Sequence, residues 1–518
     1  MDGSEASDWL GFAVAGITDL DADGYPDYLV SAPYANPGAT DSAGSVYVHS
    51  GATNELLFQF DGNRSFDQFG AALANAGDVN GDGIEDIIVG APKVDSFILG
   101  LARNGSAYVF SGANGGLLYR IEGSQDSESL GAAVSGAGDV DMDGFDDFIV
   151  GAPGYNSFHG TARVHSGATG AVLFQFDGVD PAGQLGATVA SPGDVNNDGH
   201  ADIAVGSSTV DSSGITDSGL AAIYSGATGN LLYQYLGTNY QDWLGRSIAG
   251  AGDVNADGLL NSGKALLYSG STGLLLQQLK GGYEYGSFGD KVSSAGDLNG
   301  DGILDLVIGG FTSDPNGLLN AGSASVYSSS GELIHHFEGD AAASWFGSSV
   351  AAIGDVNDDG FDEIVAGAYI ADSGGLISAG SAYVLGLNPF MQPSARTVSA
   401  SSGALLGLAL DFPADAGFDE YKILMSGAGP GSFNFGVEIP LAFDESVINS
   451  FYGDYPFAFS SALHGSLNAN GDGSCSIGIL PGTIVVHIGR TFRLAAIANK
   501  TGLLPEFSSV AVPIEIVL

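Results

Sequence analysis

The sequence predicts an all-β chain: seven copies of a four-stranded unit closing into a seven-bladed β-propeller, followed by a β-sandwich. Three observations predict it. An Asp-rich motif returns seven times, starting at Asp19, Asp78, Asp139, Asp194, Asp253, Asp297 and Asp355. Each copy follows an aromatic residue or leucine paired with glycine: Leu10-Gly11, Phe69-Gly70, Leu130-Gly131, Leu185-Gly186, Leu244-Gly245, Phe288-Gly289 and Phe346-Gly347. Between these markers the apolar positions alternate over short runs bounded by Gly, Asn, Asp and Ser, which is the pattern of strands and not of helices.

Within one unit the elements follow in order. The first strand comes directly after the Phe/Leu-Gly pair. The acidic loop then leads into a second, fully apolar strand that ends in "GAP" or a relative, as at Ser31 to Pro33, Gly90 to Pro92, Gly151 to Pro153 and Gly367 to Tyr369. The third strand is "GSAYVFSG"-like and the fourth "GGLLYRIEG"-like. Four antiparallel strands cannot bury both faces alone, so each unit must stack on its neighbours, and a closed ring protects most edges. The Gly-His and Trp-Asp signatures of WD repeats are missing.

Two copies depart from the rule. The fifth, "DVNADGLLNSGKALLYSG", runs from its acidic loop almost directly into the third-strand signature, so blade five is expected to be shortened, either by loss of a strand or because a segment is missing from this sequence. The last copy ends at "GSAYVLGLN" without a fourth strand. The opening "MDGSEASDWLG" matches "FDGNRSFDQFG" at Phe60 to Gly70, so the chain is expected to begin inside a repeat. The seventh blade should therefore show three strands or borrow one.

Composition narrows the function. Lys plus Arg number 14 against 60 Asp plus Glu, a formal charge of -46, which excludes a nucleic-acid partner bound through phosphates. No apolar run is long enough to span a membrane. The single cysteine, Cys475 in "GSCSIGI", forms no internal disulfide and reads as a small core residue. The acids are spaced regularly among apolar residues, so their natural partner is a hard cation.

Phe-Gly, then an Asp-rich loop, then Gly-Ala-Pro resembles the FG-GAP repeat of integrin α-subunit propellers, over about Asp2 to Leu387. The resemblance implies a seven-bladed propeller with calcium between the first and second strands of the blades. The loops suit that ion. Calcium takes six to eight oxygens, and positions 1, 3, 5 and 9 offer side-chain oxygens, position 7 a carbonyl and position 6 a turn glycine. The first loop supplies Asp19, Asp21, Asp23, the Tyr25 carbonyl and Asp27. The second supplies Asp78, Asn80, Asp82, the Ile84 carbonyl and Asp86. The third supplies Asp139, Asp141, Asp143, the Phe145 carbonyl and Asp147. The fourth supplies Asp194, Asn196, Asp198, the His200 carbonyl and Asp202. The fifth keeps Asp253, Asn255 and Asp257 but has Asn261 at position 9. The sixth supplies Asp297, Asn299, Asp301, the Ile303 carbonyl and Asp305, and the seventh Asp355, Asn357, Asp359, the Phe361 carbonyl and Glu363. The expected cofactor is Ca²⁺, about six or seven ions. The alternative, a run of Asx turns without metal, weakens with every further copy. An EF-hand does not fit, because position 12 is apolar and lies in a strand.

After residues 1–387 the pattern breaks at a Pro- and Ser-containing linker, 388–395, and residues 396–518 read as the β-sandwich. That module loosely resembles carboxy-terminal modules on secreted proteins of environmental bacteria. The loops joining strands 2–3 and 4–1 share the face opposite the acidic loops. The 2–3 loops are long and varied, which is where recognition resides on a rigid scaffold. All three tryptophans, Trp9, Trp243 and Trp345, precede a Phe/Leu-Gly pair on that face, either as ligand platforms or as wedges between blades. No catalytic residue is assigned, since no nucleophile elbow, zinc signature or phosphate loop is present. The expectation is a secreted or cell-surface, calcium-binding adhesion or ligand-binding module for an extracellular protein or glycan. The alternatives are an enzyme acting on polysaccharide or phosphoester, and a structural spacer.

Overall fold

The computed structural model describes residues 1–96, 99–212, 214–249, 264–269, 271–281, 286–299, 303–328, 331–357 and 361–386, and after them only strand segments. The chain divides into two compact units. The first comprises Met1–Gly296, Leu304–Asp358 and Asp362–Leu385, and the rest forms the second.

The first unit is a β-propeller of antiparallel sheets, each ordered as in the sequence. The first blade holds β1 (Val14–Ile17), β2 (Asp27–Ala32), β3 (Ser45–His49) and β4 (Leu56–Asp61). The second holds β5 (Ala72–Gly77), β6 (Asp86–Ala91), β7 (Ser106–Phe110) and β8 (Leu117–Glu122). The third holds β9 (Ala133–Gly138), β10 (Asp147–Ala152), β11 (Thr161–His165) and β12 (Val172–Asp177). The fourth holds β13 (Thr188–Gly193), β14 (Asp202–Ser207), β15 (Leu220–Tyr224) and β16 (Leu231–Leu236). The fifth copy gives only the two-stranded ladder of β17 (Lys264–Tyr268) and β18 (Leu275–Lys280) among the described residues. The sixth copy gives β19 (Lys291–Gly296), β20 (Asp305–Gly309), β21 (Ser323–Tyr327) and β22 (Leu333–Glu338), and the last β23 (Ser349–Gly354), β24 (Glu363–Ala368) and β25 (Ser381–Leu385).

The expectation of seven blades is thus corrected to six: five sheets of four strands and one of three. The cause is the shortened fifth copy. It lacks the apolar segment that forms the second strand elsewhere, so nothing among the described residues links an inner strand to β17.

The second strands are the core. β2, β6, β10, β14 and β24 are buried at every position, sandwiched between neighbouring sheets. The repeat's two glycine motifs are the joints between blades. A Cβ on Gly90, in "GAP", would collide with the carbonyl oxygen of Gly131, in the next copy's Leu-Gly pair. The same collision joins Gly151 to Gly186, Gly309 to Gly347 and, closing the ring, Gly367 to Gly11. The residue before the second glycine bridges the glycine ahead of the preceding blade's third strand, as Leu130 does with Gly105 and Leu10 with Gly380. These contacts need backbones closer than any side chain allows, which is why the sequence keeps glycine there.

The last blade has three strands, as its sequence requires. Along the edge of β25 lie Met1, Asp2 and Gly3, in the register that Phe60, Asp61 and Gly62 take on β3. Asp2 pairs Ser381 as Asp61 pairs Ser45, and each serine hydroxyl donates to its aspartate at 2.7 Å. The Gly3 amide donates to the Gly380 carbonyl as Gly62 does to Gly44, both at 2.8 Å. Further along β25, Val384 is 42% exposed, while its counterparts Val48, Val109 and Val164 are fully buried.

In the second unit, β26 (Met391–Pro393), β28 (Ala404–Asp411) and β33 (Asp472–Ile479) form a three-stranded sheet. A larger sheet has the order β27 (Thr397–Ser399), β36 (Val512–Val517), β34 (Thr491–Asn499), β29 (Glu420–Ser426) and β32 (His464–Ser466), with β35 (Phe507–Ser508) on β34. A short pair, β30 (Phe433–Asn434) and β31 (Glu438–Ile439), completes its described strands.

Candidate metal loops and the opposite channel mouth

In each of the six blades the acidic loop connects the first and second strands. Position 9 is the first residue of the second strand, so Asp27, Asp86, Asp147, Asp202 and Asp305 are fully buried and Glu363 nearly so. Position 1 lies at the loop's start and gathers amides. The Asp78 carboxylate accepts from Gly81, Asp82 and Gly83 at 2.7–3.0 Å, and Asp19 and Asp139 accept from positions 5 and 6 of their own loops. Position 5 accepts from position 7, as Asp23 does from Tyr25, Asp82 from Ile84, Asp143 from Phe145 and Asp198 from His200. The chain folds this way locally because the short Asx side chains bond to amides two to five residues on, and glycine takes the turn at position 6 with positive φ, +99° at Gly24.

The position 9 acid does something the spacing did not reveal. One Asp86 oxygen accepts the Val79 amide at 3.0 Å, and the other accepts the Gly112 amide at 3.0 Å from the turn between β7 and β8. Asp27, Asp147 and Asp202 make the same pair of bonds to their own loops and to Gly51, Gly167 and Gly226. These aspartates therefore tie the acidic loop to the 3–4 turn. The repeated "SGATG" turn is the sequence signal for this role.

Burial and neighbouring carboxylates make these groups poor anions on their own. Burial, opposed by the two amide bonds and helped by Asp21 and Asp19, pushes Asp27 up to about 6. Asp86 and Asp147 are likewise pushed to about 6, chiefly by burial, with the loop's other aspartates adding repulsion. Burial raises Asp202 as well. In two loops three carboxylates converge: Asp19, Asp21 and Asp27, and Asp139, Asp141 and Asp147, each trio with ligand oxygens within 4.8 Å of one another. In the second and fourth loops Asn80 and Asn196 stand at position 3 and donate to the buried position 9 aspartate. Like charges this close, one of them buried, fit a divalent cation, and an all-oxygen donor set suits a hard one. Asp297, Asn299, Asp305, Asp355, Asn357 and Glu363 occupy equivalent loop positions, while Asp253, Asn255, Asp257, Asp301 and Asp359 lie outside the described residues.

The opposite face is built from the 4–1 and 2–3 loops, which hydrogen-bond together: the Trp243 amide donates to the Asp217 carbonyl and the Trp345 amide to that of Asn320. A channel of about 350 Å³ opens there. The residue after each Phe/Leu-Gly pair lines it: Phe12, Ala71, Ala132, Ala187, Arg246, Asp290 and Ser348. Trp9 and Trp345 come together through Tyr369, at 5.2 and 5.5 Å between ring centroids. Trp9 also packs on Tyr34, and Trp345 on Phe311. Trp243 stands apart from that cluster, 42% exposed, with the Arg246 guanidinium 5.5 Å from its ring centre. Arg246 forms an ion pair with Asp290. Phe12, Phe311, Arg246, Asp290 and Lys291 went unnoticed in the sequence, and Tyr369 was noted only as the end of the last "GAP" relative. Their signal is departure from the repeat: large or charged residues where other copies have Ala, Ser or Pro.

Four segments, 10–49, 69–110, 130–173 and 186–224, match the FG-GAP repeat model. Integrin alpha-5 of Xenopus laevis is 30% identical over 187 residues, which are 32% of this chain and 17% of that protein. Integrin alpha-PS5 of Drosophila melanogaster is 32% identical over 168 residues, covering 29% of this chain and 16% of its own length. Integrin alpha-IIb of Homo sapiens is 34% identical over 170 residues, 30% of this chain and 16% of that protein. The chain thus spans less than a fifth of the length of these relatives. Among solved structures, the Dos1 propeller aligns with a TM-score of 0.38 at 13% identity, over 69% of this chain and 74% of that one. The amino-terminal unit is a β-propeller carrying FG-GAP repeats, and integrin alpha subunits are its homologues.

Proposed function

We infer that this chain is an extracellular or cell-surface adhesion or ligand-binding module, stabilised by calcium in its acidic loops and binding a protein or glycan on the opposite face. The observation that carries the metal half is the pair of three-carboxylate clusters, each containing a buried aspartate with its pKa pushed up to about 6. A bound Ca²⁺ would supply the positive charge that lets those aspartates ionise. The chain's own residues do the rest: positions 1, 3 and 5 surround the ion, and position 9 couples it to the 3–4 turn. About six or seven ions fit the seven loops, with Asp253, Asn255 and Asp257 the weakest set for want of an acid at position 9. Homology to integrin alpha subunits supports the adhesion half and an outside location. Residues 1–387 are the working part on this reading, with 388–395 a linker and 396–518 a β-sandwich appended to it.

Two measurements test it. Metal analysis after dialysis against calcium should return about six ions per chain, and one ion or none would overturn the metal assignment. A glycan and matrix-protein array should give binding that falls when Trp243 and Trp345 are both replaced by alanine, with calcium content unchanged. Binding that survives this double variant and is blocked only from the acidic-loop side would place the ligand on the other face.

A further inference from the structure

The propeller's internal repetition offers a control inside one molecule. At the channel mouth, the position after the Phe/Leu-Gly pair is small in four copies and is Phe12, Arg246 and Asp290 in the other three. At the third position of "GAP" the sixth and seventh copies carry Phe311 and Tyr369 instead of proline. These departures cluster on one arc of the ring: aromatic rings from the sixth, seventh and first copies, and cations from the fifth and sixth. Phe12 and Tyr369 lie 5.1 Å apart, backed by Trp9 and Trp345.

The charge of this arc opposes that of the whole chain. The formal charge is -46, yet the charged residues lining the channel are Arg246, Lys291 and Asp290, a net of one positive. Arg246 is held between the Trp243 ring and Asp290. Lys291 forms no ion pair among the described residues and is exposed to the water of the channel it lines. The Tyr369 hydroxyl is pushed up to about 12, chiefly by burial, so it remains a hydrogen-bond donor. An ammonium without an ion pair, lining the same channel as a guanidinium, calls for an anion, and flat rings on the same wall call for an apolar ring face.

We propose that the channel mouth binds a hexuronate, a sugar ring bearing a carboxylate, at the end of an acidic glycan. The proposal rests on the ligand face named above and specifies its chemistry. The carboxylate meets Lys291 and Arg246, and the C–H face of the ring stacks within the arc of Phe12, Tyr369 and Phe311. A neutral sugar leaves Lys291 uncompensated, and an acidic peptide side chain leaves the rings bare. The volume, about 350 Å³, admits one or two sugar rings and no folded partner. The overall negative field repels a polyanion laid across the face, so the terminal ring is what enters.

The test uses the full chain with calcium bound and di- and trigalacturonate as probes, read by calorimetry and by fluorescence of the three tryptophans, two of which back the arc. Saturable binding is expected, lost on methyl esterification of the probe and weakened about tenfold or more in Lys291→Met, the size of one charge-assisted hydrogen bond. An unchanged calcium-loaded melting temperature shows that Lys291→Met remains folded, and Phe12→Leu offers a second variant that should weaken binding with the charges intact. Equal binding of the methyl ester, or binding of oligoglutamate but not of the galacturonates, overturns the proposal. If the galacturonates fail while a neutral glycan binds in a Trp243- and Trp345-dependent way, the ligand face stands and the acidic-sugar assignment falls.

Discussion

Metal-free protein should lose stability as pH rises from about 4 to about 6, and calcium should remove most of that loss. Asp27, Asp86 and Asp147 are fully buried, with pKa values near 6 in the folded, metal-free chain against 3.8 ordinarily. Below pH 3.8 both the folded and unfolded states hold the proton, so these groups cost nothing. Between 3.8 and 6 the unfolded chain ionises first, and stability falls with rising pH. Above 6 both states are ionised and the loss is complete. A shift of about two units corresponds to about 3 kcal/mol per carboxylate, and three of them to about 9 kcal/mol. For a unit of this size that is a fall in Tm of about 10 °C.

Thermal melts followed by circular dichroism in chelator, from pH 4 to pH 8 and repeated with excess calcium, give the readout. Two controls separate the cause. Self-repulsion of exposed carboxylates gives the same sign but is screened in about 1 M salt, whereas the buried groups are screened far less. Asp67 is also buried and raised to about 6, with Arg64 opposing the shift, but lies outside the acidic loops, so calcium should leave its share of the slope, about a quarter, in place. A Tm in chelator that rises from pH 4 to pH 6, or a slope that high salt abolishes, would refute the reasoning.

Three further outcomes follow from particular contacts. Glu128 and Arg163 form a buried ion pair at 2.7 Å whose other carboxylate oxygen accepts from Ser124 and Gln125, so Glu128→Ala should cost about 3–5 kcal/mol in denaturant melts, and a loss below 1 kcal/mol would show that water reaches the guanidinium. Asp2→Ala removes the carboxylate that accepts from the Ser381 hydroxyl at 2.7 Å, and should cost about 1 kcal/mol and speed amide exchange in β25; unchanged exchange there would mean that this pairing does not hold the edge. Gly131→Ala should destabilise the ring by more than its φ of +83° alone requires, because the added carbon also meets the Ser106 carbonyl; chelator-independent melting temperatures would detect the loss, and a change under 1 kcal/mol would show that the blades can slide apart to admit it.

What the sequence revealed followed from repetition. A motif used seven times exposes its requirements by averaging, so the strand order, the acidic loops and the three-stranded final blade were all legible. The blade count was not, although the shortened fifth copy was visible. Its acidic loop was counted as a unit, but a blade needs a second strand to link the inner strand to the third, and that segment is absent. The clamp role of Asp86 was hidden for another reason. Its two amide partners, Val79 and Gly112, belong to different turns, and only folding brings the turn between β7 and β8 onto the acidic loop.

The channel mouth shows why averaging also conceals. The alanines at positions 71, 132 and 187 state what the scaffold asks of that site: a small side chain where the inner strands converge. Phe12, Arg246 and Asp290 violate the request at equivalent positions, and each brings bulk or charge into a space the fold leaves open. A residue that serves the fold should recur wherever the fold recurs. One that appears in a single copy answers to something outside the repeat, and three such residues opening on one channel answer to it together. Tyr369 makes the same point from the second strand, where proline ends "GAP" in three copies and a phenol pushed up to about 12 ends the last. In a repeat protein the consensus therefore reports the architecture, and the copies that break it are where the proposal places its ligand.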